Sequence, residues 1–193
     1  MFNNRKAQEG EIVGKALNYW EEFRDLHVKE LEPRDRERPT RESPPPGWVK
    51  VNVDAAVFKD EGTRFGVVAR DENGHFVMAA VCRERVQWSP KLAEIKAIDF
   101  GLKQLERYGF PTAIVETDCQ SAFLALKQTE VSRLEAGALI VDLQIAAKRL
   151  DSIQWNFARR ECNGVAHLLA HTSCNWDAQE HWEARPPMSL LPF

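Results

Sequence analysis

The sequence predicts an α/β fold in which a mixed β-sheet carries helices on both faces. Three runs with the period-2 alternation typical of strands follow one another and are separated by turn signals. Beyond them, helical and strand-like segments alternate, so the element order is βββ-α-β-α-α-β-α. Antiparallel strands that are followed by strand–helix crossovers form a mixed sheet with helices on both sides.

The first three strands are expected to form an antiparallel meander. They are predicted at residues 49–58, 64–71 and 74–84. In the first strand Val49, Val51 and Val53 alternate with polar residues. The Asn73-Gly74 pair between the second and third strands is a strong hairpin signal, because both residue types accept the backbone angles of a tight turn.

Helices and two further strands follow the meander. Ser89 and Pro90 predict the start of a helix that runs to about Tyr108, with serine as the cap and proline in the first turn. The remaining elements are a strand at 112–118, a short helix, a longer helix around 134–150, a strand at 152–160, and a last helix that Asn163 caps and that ends near Trp176.

The chain divides into three regions by composition. Residues 1–46 hold an amphipathic helix at 11–31 and a linker rich in proline and charge, residues 47–180 form the α/β domain, and residues 181–193 are a tail. The apolar stripe of helix 11–31 packs on the domain in one interpretation and binds a protein partner in the other.

The overall charge and hydropathy restrict the function classes. The 193 residues have a net charge of −3, so any nucleic-acid contact must come from a local basic patch. No apolar run reaches the length of a membrane span, and the N-terminus lacks the apolar core of a signal peptide. We therefore expect an intracellular protein of the cytoplasm or nucleus that does not enter a membrane.

The four cysteines form no C-x-x-C pair, which favours reduced structural thiols over a redox motif. A zinc site built from Cys162, His167, His171 and Cys174 is conceivable, because the two histidines share one helical face. Ordinary helix residues are the alternative interpretation.

Three carboxylates occupy positions that local structure explains only in part. Asp54 lies within the most strand-like run, either on a solvated face or held there for chemistry. Glu94 lies at the edge of an apolar helical face, where it either reaches solvent or a lysine, or is paired within a site. Asp118 ends the fourth strand, where it either caps a helix or belongs to a site. If they converge, they need cations, and carboxylate oxygens suit Mg²⁺.

Five motifs in order carry a family resemblance. They are "VKVNVDAA", "GVVARDENG", "AEIKAIDFGL", "VETDCQSAF" and "RRECNGVAHLLA", and they span residue 48 to about residue 175. In these motifs the chain resembles the ribonuclease H type 1 family, and most closely the reverse-transcriptase-like ribonuclease H domains abundant in plants. The resemblance implies a ribonuclease H-like, five-stranded mixed sheet with strand order 3-2-1-4-5.

The resemblance also implies an activity. Asp54, Glu94 and Asp118 match the family's ligands for two divalent ions, Mg²⁺ or Mn²⁺, with Asp54 as the bridging ligand. An endonuclease that hydrolyses the RNA strand of RNA–DNA hybrids is the expected function, with nucleic acid as the partner.

The sequence departs from the family at three places. His167 stands where the family carries a fourth carboxylate, and the resemblance places it at the catalytic site. The segment "ARRECNG" lacks the family's flexible histidine, and "SPKLAE" lacks its groove-reading Asn-Gln pair. These departures, with the negative net charge, support an alternative: a catalytically weak or inactive module of the same fold that binds nucleic acid or protein. A third possibility is an interaction protein that uses helix 11–31 and the apolar tail.

Overall fold

The computed structural model describes residues 43–127, 135–171 and 180–183. The predicted helix 11–31 and Cys174 lie outside these residues. The elements, in chain order, are β1 (Val49–Phe58), β2 (Gly62–Arg70), β3 (Phe76–Glu84), α1 (Pro90–Tyr108), β4 (Thr112–Thr117), α2 (Gln120–Lys127), α3 (Glu135–Ala147), β5 (Ser152–Phe157), α4 (Gly164–His171) and β6 (Glu180–Glu183). None of the helices in the described parts combines the length and the apolar character that a membrane span requires.

The sheet has the predicted mixed topology and one additional strand. Its order is β5-β4-β1-β2-β3-β6. β1 pairs antiparallel with β2 and parallel with β4, which in turn pairs parallel with β5. The order 3-2-1-4-5 is therefore confirmed. β6 was not predicted; it extends the sheet by pairing antiparallel with β3.

The Asn73-Gly74 turn before β3 and the Ser89-Pro90 start of α1 both lie where the sequence predicts them. Gly74 has φ +80° in the turn between β2 and β3, and the Asp71 carboxylate accepts hydrogen bonds from the backbone N–H groups of Asn73 and His75. Ser89 occupies the cap position of α1 with Pro90 after it, but its side chain makes no capping hydrogen bond. Serine at the cap position and proline in the first turn are thus confirmed, although the start of the helix is marked by the proline and not by a hydrogen bond of the serine side chain.

Helix α1 lies close to β1 on one face of the sheet. A Cβ atom added to Gly101 would be 2.8 Å from Val53 Cγ1, which shows how closely the helix and strand backbones approach. Val51, Val53, Ile98 and Leu102 are almost completely buried between them. Glu94 lies two turns before Gly101, so this close contact brings its carboxylate towards the end of the sheet.

Helix α4 covers the opposite face. Side chains alternate between the two faces of a strand, so Asp54 points away from the α1 face on which Val53 is buried. Gly66 pairs with Asp54 in the β1–β2 register. At Gly66 the backbone of α4 comes so close that a Cβ atom would lie 2.4 Å from the Ala166 carbonyl oxygen. The residue next to Ala166 is His167, which is thereby placed beside Asp54.

Candidate metal centre

Three carboxylates from distant parts of the chain meet at one edge of the sheet. β4 pairs with β1 as far as Val53, so Asp54 is the first β1 residue beyond that pairing. Asp118 follows the last residue of β4, and Glu94 comes from the first turns of α1. One oxygen atom from each carboxylate lies within 4.8 Å of the other two. The structure thus brings together the three acidic residues that the sequence singled out.

The cluster is electrostatically unfavourable on its own. Asp54 is only 3% exposed, and its pKa is raised by burial and by the charge of Asp118, against an opposing hydrogen bond from His167. Burial, followed by the charges of Asp54 and Asp118, raises the pKa of Glu94 to about 8, while Arg160 acts in the opposite direction. Within the described residues, no donor reaches the buried Oε2 atom of Glu94. A cation would satisfy this atom and reduce the repulsion.

Asn163 connects β1 with Asp118. Its Nδ2 atom donates to the Val53 carbonyl oxygen at 2.9 Å and to Asp118 Oδ1 at 3.2 Å, and the residue is fully buried. Asn163 immediately precedes α4, as predicted, and its carbonyl oxygen accepts from the backbone N–H of His167, but its side-chain amide is directed into the site. Sequence analysis missed this function; the signal that could have indicated it is the position of Asn163 inside a family motif.

Asp118 was also considered as a cap for the helix that follows β4, but its side chain has other partners. Its carboxylate accepts from Asn163 and faces Arg160 Nε at 3.7 Å. At the start of α2, the backbone N–H of Cys119 is satisfied by Thr117 Oγ1 at 3.1 Å. The hydrogen bonds and charges around Asp118 therefore direct it to the carboxylate cluster.

His167 contacts the cluster through Asp54. Its Nδ1 atom lies 2.8 Å from Asp54 Oδ2 and donates to this carboxylate, while the side chain is 36% exposed. Asp54, His167 and His171 form a second group whose possible ligand atoms lie within 4.8 Å of one another. Among the described residues, neither group that could hold a metal includes Cys162. The described residues therefore give no support to a zinc site that includes Cys162, and Cys174 lies outside them.

A cleft of about 670 Å³ opens above the three carboxylates. Lys91, Arg159 and Arg160 line it together with Phe157, a residue at the end of β5 that is 44% exposed. The cleft therefore combines a carboxylate cluster with cationic groups and an exposed aromatic ring. Arg149 lines a different groove between α1 and α3. Arg149 and the Arg159–Arg160 pair therefore lie on two different surfaces.

The sequence profile of the reverse transcriptase-like family matches residues 52–173, which include all four predicted site residues. The chain belongs to the reverse transcriptase-like family. No curated protein sequence matches this reverse transcriptase-like protein.

Solved structures show the fold that the reverse transcriptase-like protein shares. RNase H1 of the halophilic archaeon Halobacterium salinarum matches with a TM-score of 0.58 and 19% identity, over 64% of this chain and 94% of that chain. The N-terminal RNase H domain of a Mycobacterium tuberculosis protein matches with a TM-score of 0.57 and 19% identity, over 64% and 90%. LC11-RNase H1, which was isolated from compost, was solved in complex with an RNA/DNA hybrid. It matches with a TM-score of 0.56 and 16% identity, over 63% of this chain and 92% of that chain. The reverse transcriptase-like domain thus has the RNase H fold.

Proposed function

We propose that this protein is a divalent-metal-dependent endonuclease that hydrolyses the RNA strand of RNA–DNA hybrids. The observation that carries the proposal is the meeting of Asp54, Glu94 and Asp118, with oxygen atoms within 4.8 Å of one another. Family membership supports it, as does the match to a fold neighbour solved with an RNA/DNA hybrid.

The donor set fits hard divalent cations. All three side chains offer carboxylate oxygens, which Mg²⁺ and Mn²⁺ prefer. The buried Glu94 Oε2 atom, which lacks a hydrogen-bond partner among the described residues, is an additional reason to place a cation here. Two such ions, when bound, supply Lewis acidity that activates water and stabilises the leaving 3′ oxygen.

The protein's own residues hold the ligands rigidly. Asp54 is placed on the central strand of the sheet and is fixed by the hydrogen bond from His167, as a bridging ligand requires. Asn163 holds Asp118 against β1 through its two hydrogen bonds. Glu94 is oriented by the close packing of α1 at Gly101. Each ligand therefore has a separate structural support.

The cleft supplies contacts for the nucleic acid. Lys91, Arg159 and Arg160 are exposed cations that can bind phosphates beside the carboxylates, despite the negative net charge of the chain. Phe157 offers an exposed ring on which a base can stack. Together they orient the backbone of one strand over the three carboxylates.

A second candidate function is a module of this fold that binds nucleic acid or a protein but cleaves slowly. The observation in its favour is His167, an imidazole directly hydrogen-bonded to Asp54 where the family carries a fourth carboxylate. An imidazole attracts Mg²⁺ less than a carboxylate does, which weakens binding of a second ion. Partner binding through helix 11–31 remains a prediction.

Cleavage of a labelled RNA–DNA hybrid tests both candidates. With Mg²⁺ or Mn²⁺ we expect wild-type protein to cut the RNA strand and Asp54→Asn to lose this activity, because asparagine keeps the shape but not the charge. Asp151→Asn, at an exposed turn, is the matched control and should cut like wild type. Hybrid binding without cleavage by wild type would favour the slow module. No hybrid binding at all would contradict the nuclease and would leave, of the second candidate, only the module that binds a protein.

A further inference from the structure

We propose that Asp54, His167 and His171 form a nitrogen-rich site for a borderline transition metal of the Zn²⁺ class, separate in ligand chemistry from the three-carboxylate cluster. One ligand atom from each of the three residues lies within 4.8 Å of the other two. Zn²⁺ commonly binds through two imidazoles and one carboxylate, and such three-ligand sites leave a position open.

The two histidines lie side by side on one face of α4. His167 and His171 are four residues apart on α4, and their ring centroids are 4.0 Å apart. The Phe58 ring meets His171 edge-on at 6.0 Å, so the imidazole of His171 lies between two rings although it is open to solvent. An incoming ion therefore has access to side chains that are already oriented.

The hydrogen bonds assign the free nitrogen of His171. Its Nδ1 atom lies 3.0 Å from the His167 carbonyl oxygen. A carbonyl oxygen only accepts, so Nδ1 carries the hydrogen and the neutral ring presents the Nε2 lone pair. Metal-binding histidines typically donate their other ring N–H to a backbone carbonyl or carboxylate, and His171 already makes this bond.

The spacing of the other two ligand atoms is close to that of a tetrahedral site. His167 Nδ1 and Asp54 Oδ2 are 2.8 Å apart. Ligand atoms about 2.0–2.1 Å from Zn²⁺ at tetrahedral angles are roughly 3.3 Å apart. An ion that binds between these atoms would therefore move them by about half an ångström, and the neutral His167 ring would then carry its hydrogen on Nε2 instead of Nδ1.

The choice of metal follows from the ligands. Imidazole nitrogen favours Zn²⁺ over Mg²⁺, and Zn²⁺ lies far above Mn²⁺ in the affinity order of divalent metals. Asp54 belongs to both groups, so Zn²⁺ at this site would withdraw it from the carboxylate cluster. The resulting inhibition of cleavage rests on the proposed nuclease function, whereas the binding of Zn²⁺ does not.

Metal binding to the full chain, stripped of metal beforehand, tests the site. We expect Zn²⁺ titration calorimetry to show a binding event that His171→Ala weakens by at least about 10-fold. The visible absorption of Co²⁺, used as a spectroscopic substitute, should decrease in parallel. His75→Ala, which changes an exposed histidine in the β2–β3 turn, is the control and should bind like wild type. Equal Zn²⁺ affinity and Co²⁺ spectra for wild type and His171→Ala would overturn the proposal.

Glu94→Gln separates this proposal from the nuclease proposal. Glu94 belongs to the carboxylate group and not to the histidine group, so Glu94→Gln should keep Zn²⁺ binding while losing Mg²⁺-dependent cleavage. In the Mg²⁺-dependent cleavage assay, Zn²⁺ should inhibit the wild-type protein. The same Zn²⁺ concentrations should leave the cleavage rate of His171→Ala unchanged from its rate without Zn²⁺. If wild type never cleaves, the nuclease proposal fails and the calorimetry still decides the zinc site.

Discussion

Gly66 lies opposite Asp54 in the antiparallel register of β1 and β2, and α4 crosses the sheet at this glycine. A Cβ atom at residue 66 would be 2.4 Å from Ala166 O and 2.6 Å from Ala170 N. Because both are backbone atoms, no rotamer change can relieve the contact. The missing side chain therefore sets how closely His167 approaches Asp54.

Gly66→Ala should destabilise the protein because it forces α4 away from the sheet. Overpacking of this kind costs roughly 1–3 kcal/mol, to be measured as the change in free energy of unfolding in urea. Gly164→Ala is the matched control, since nothing lies within 4 Å of its added Cβ, and its effect should stay within about 1 kcal/mol. Equal stability of Gly66→Ala and wild type would show that α4 does not dock here.

Asn163→Ala should reduce both stability and metal affinity. The substitution removes the hydrogen bonds to Val53 O and Asp118 Oδ1 and leaves a buried carbonyl without its donor, a loss of roughly 1–3 kcal/mol. Asp118 also loses its support, so Mg²⁺ affinity by calorimetry should fall. Asn156→Ala, at an exposed position in β5, is the control. Unchanged Mg²⁺ affinity would mean that Asn163 does not position Asp118.

The stability of the metal-free protein should fall as pH rises, because of Glu94. Its pKa is raised to about 8 from an ordinary value of 4.5. Between these values the folded state binds a proton that the unfolded state has released, so the free energy of unfolding decreases with pH. In EDTA, Glu94→Gln should therefore gain about 1 kcal/mol or more over wild type between about pH 5 and about pH 8.5.

The comparison needs a control for the loss of one charge. Asp142→Asn removes an exposed carboxylate from α3, away from the cluster, and serves this purpose. Saturating Mg²⁺ should reduce the advantage of Glu94→Gln, since the ion stabilises the wild-type cluster more than the variant. A stability difference between Glu94→Gln and wild type that stays constant over the whole pH range would contradict the raised pKa.

His167→Asp should lower the Mg²⁺ concentration needed for half-maximal cleavage several-fold. A fourth carboxylate beside Asp54 increases the negative charge that attracts a second ion. The same charge should lower the free energy of unfolding in EDTA, so the substitution has opposite effects with and without metal. His167→Asn has the size of the aspartate variant without its charge, so it is the control and should not lower the Mg²⁺ requirement. An unchanged Mg²⁺ requirement in His167→Asp would place residue 167 outside the metal centre.

Arg160→Ala should weaken hybrid binding and make it less dependent on salt. Arg160 lines the cleft and is exposed beside Asp118, where it can contact a phosphate. Loss of one phosphate contact should lower the slope of log affinity against log salt by about 0.9. Arg149→Ala removes an arginine from the α1–α3 groove and should leave this slope unchanged. Equal slopes for all three proteins would remove Arg160 from the interface.

Local patterns in the sequence were sufficient for the regular elements. The alternation of valines with polar residues predicted β1 with its observed bounds, and Pro90 marked the start of α1. β6 escaped prediction because four residues carry too little periodicity; it forms a strand through its pairing with β3. A local pattern indicates which face of an element is apolar. It contains no information about a pairing strand that lies about a hundred residues away in the sequence, as β3 does from β6.

The residue types of the candidate site could be read from the chain, whereas their contacts could not. Family motifs indicated Asp54, Glu94, Asp118 and His167, and the linear order of the elements placed their strands in one sheet. The hydrogen bonds of Asn163 and the distance from His167 to Asp54 depend on how α4 docks at Gly66. Docking depends on packing between two surfaces that are far apart in sequence, and only the folded chain brings them into contact.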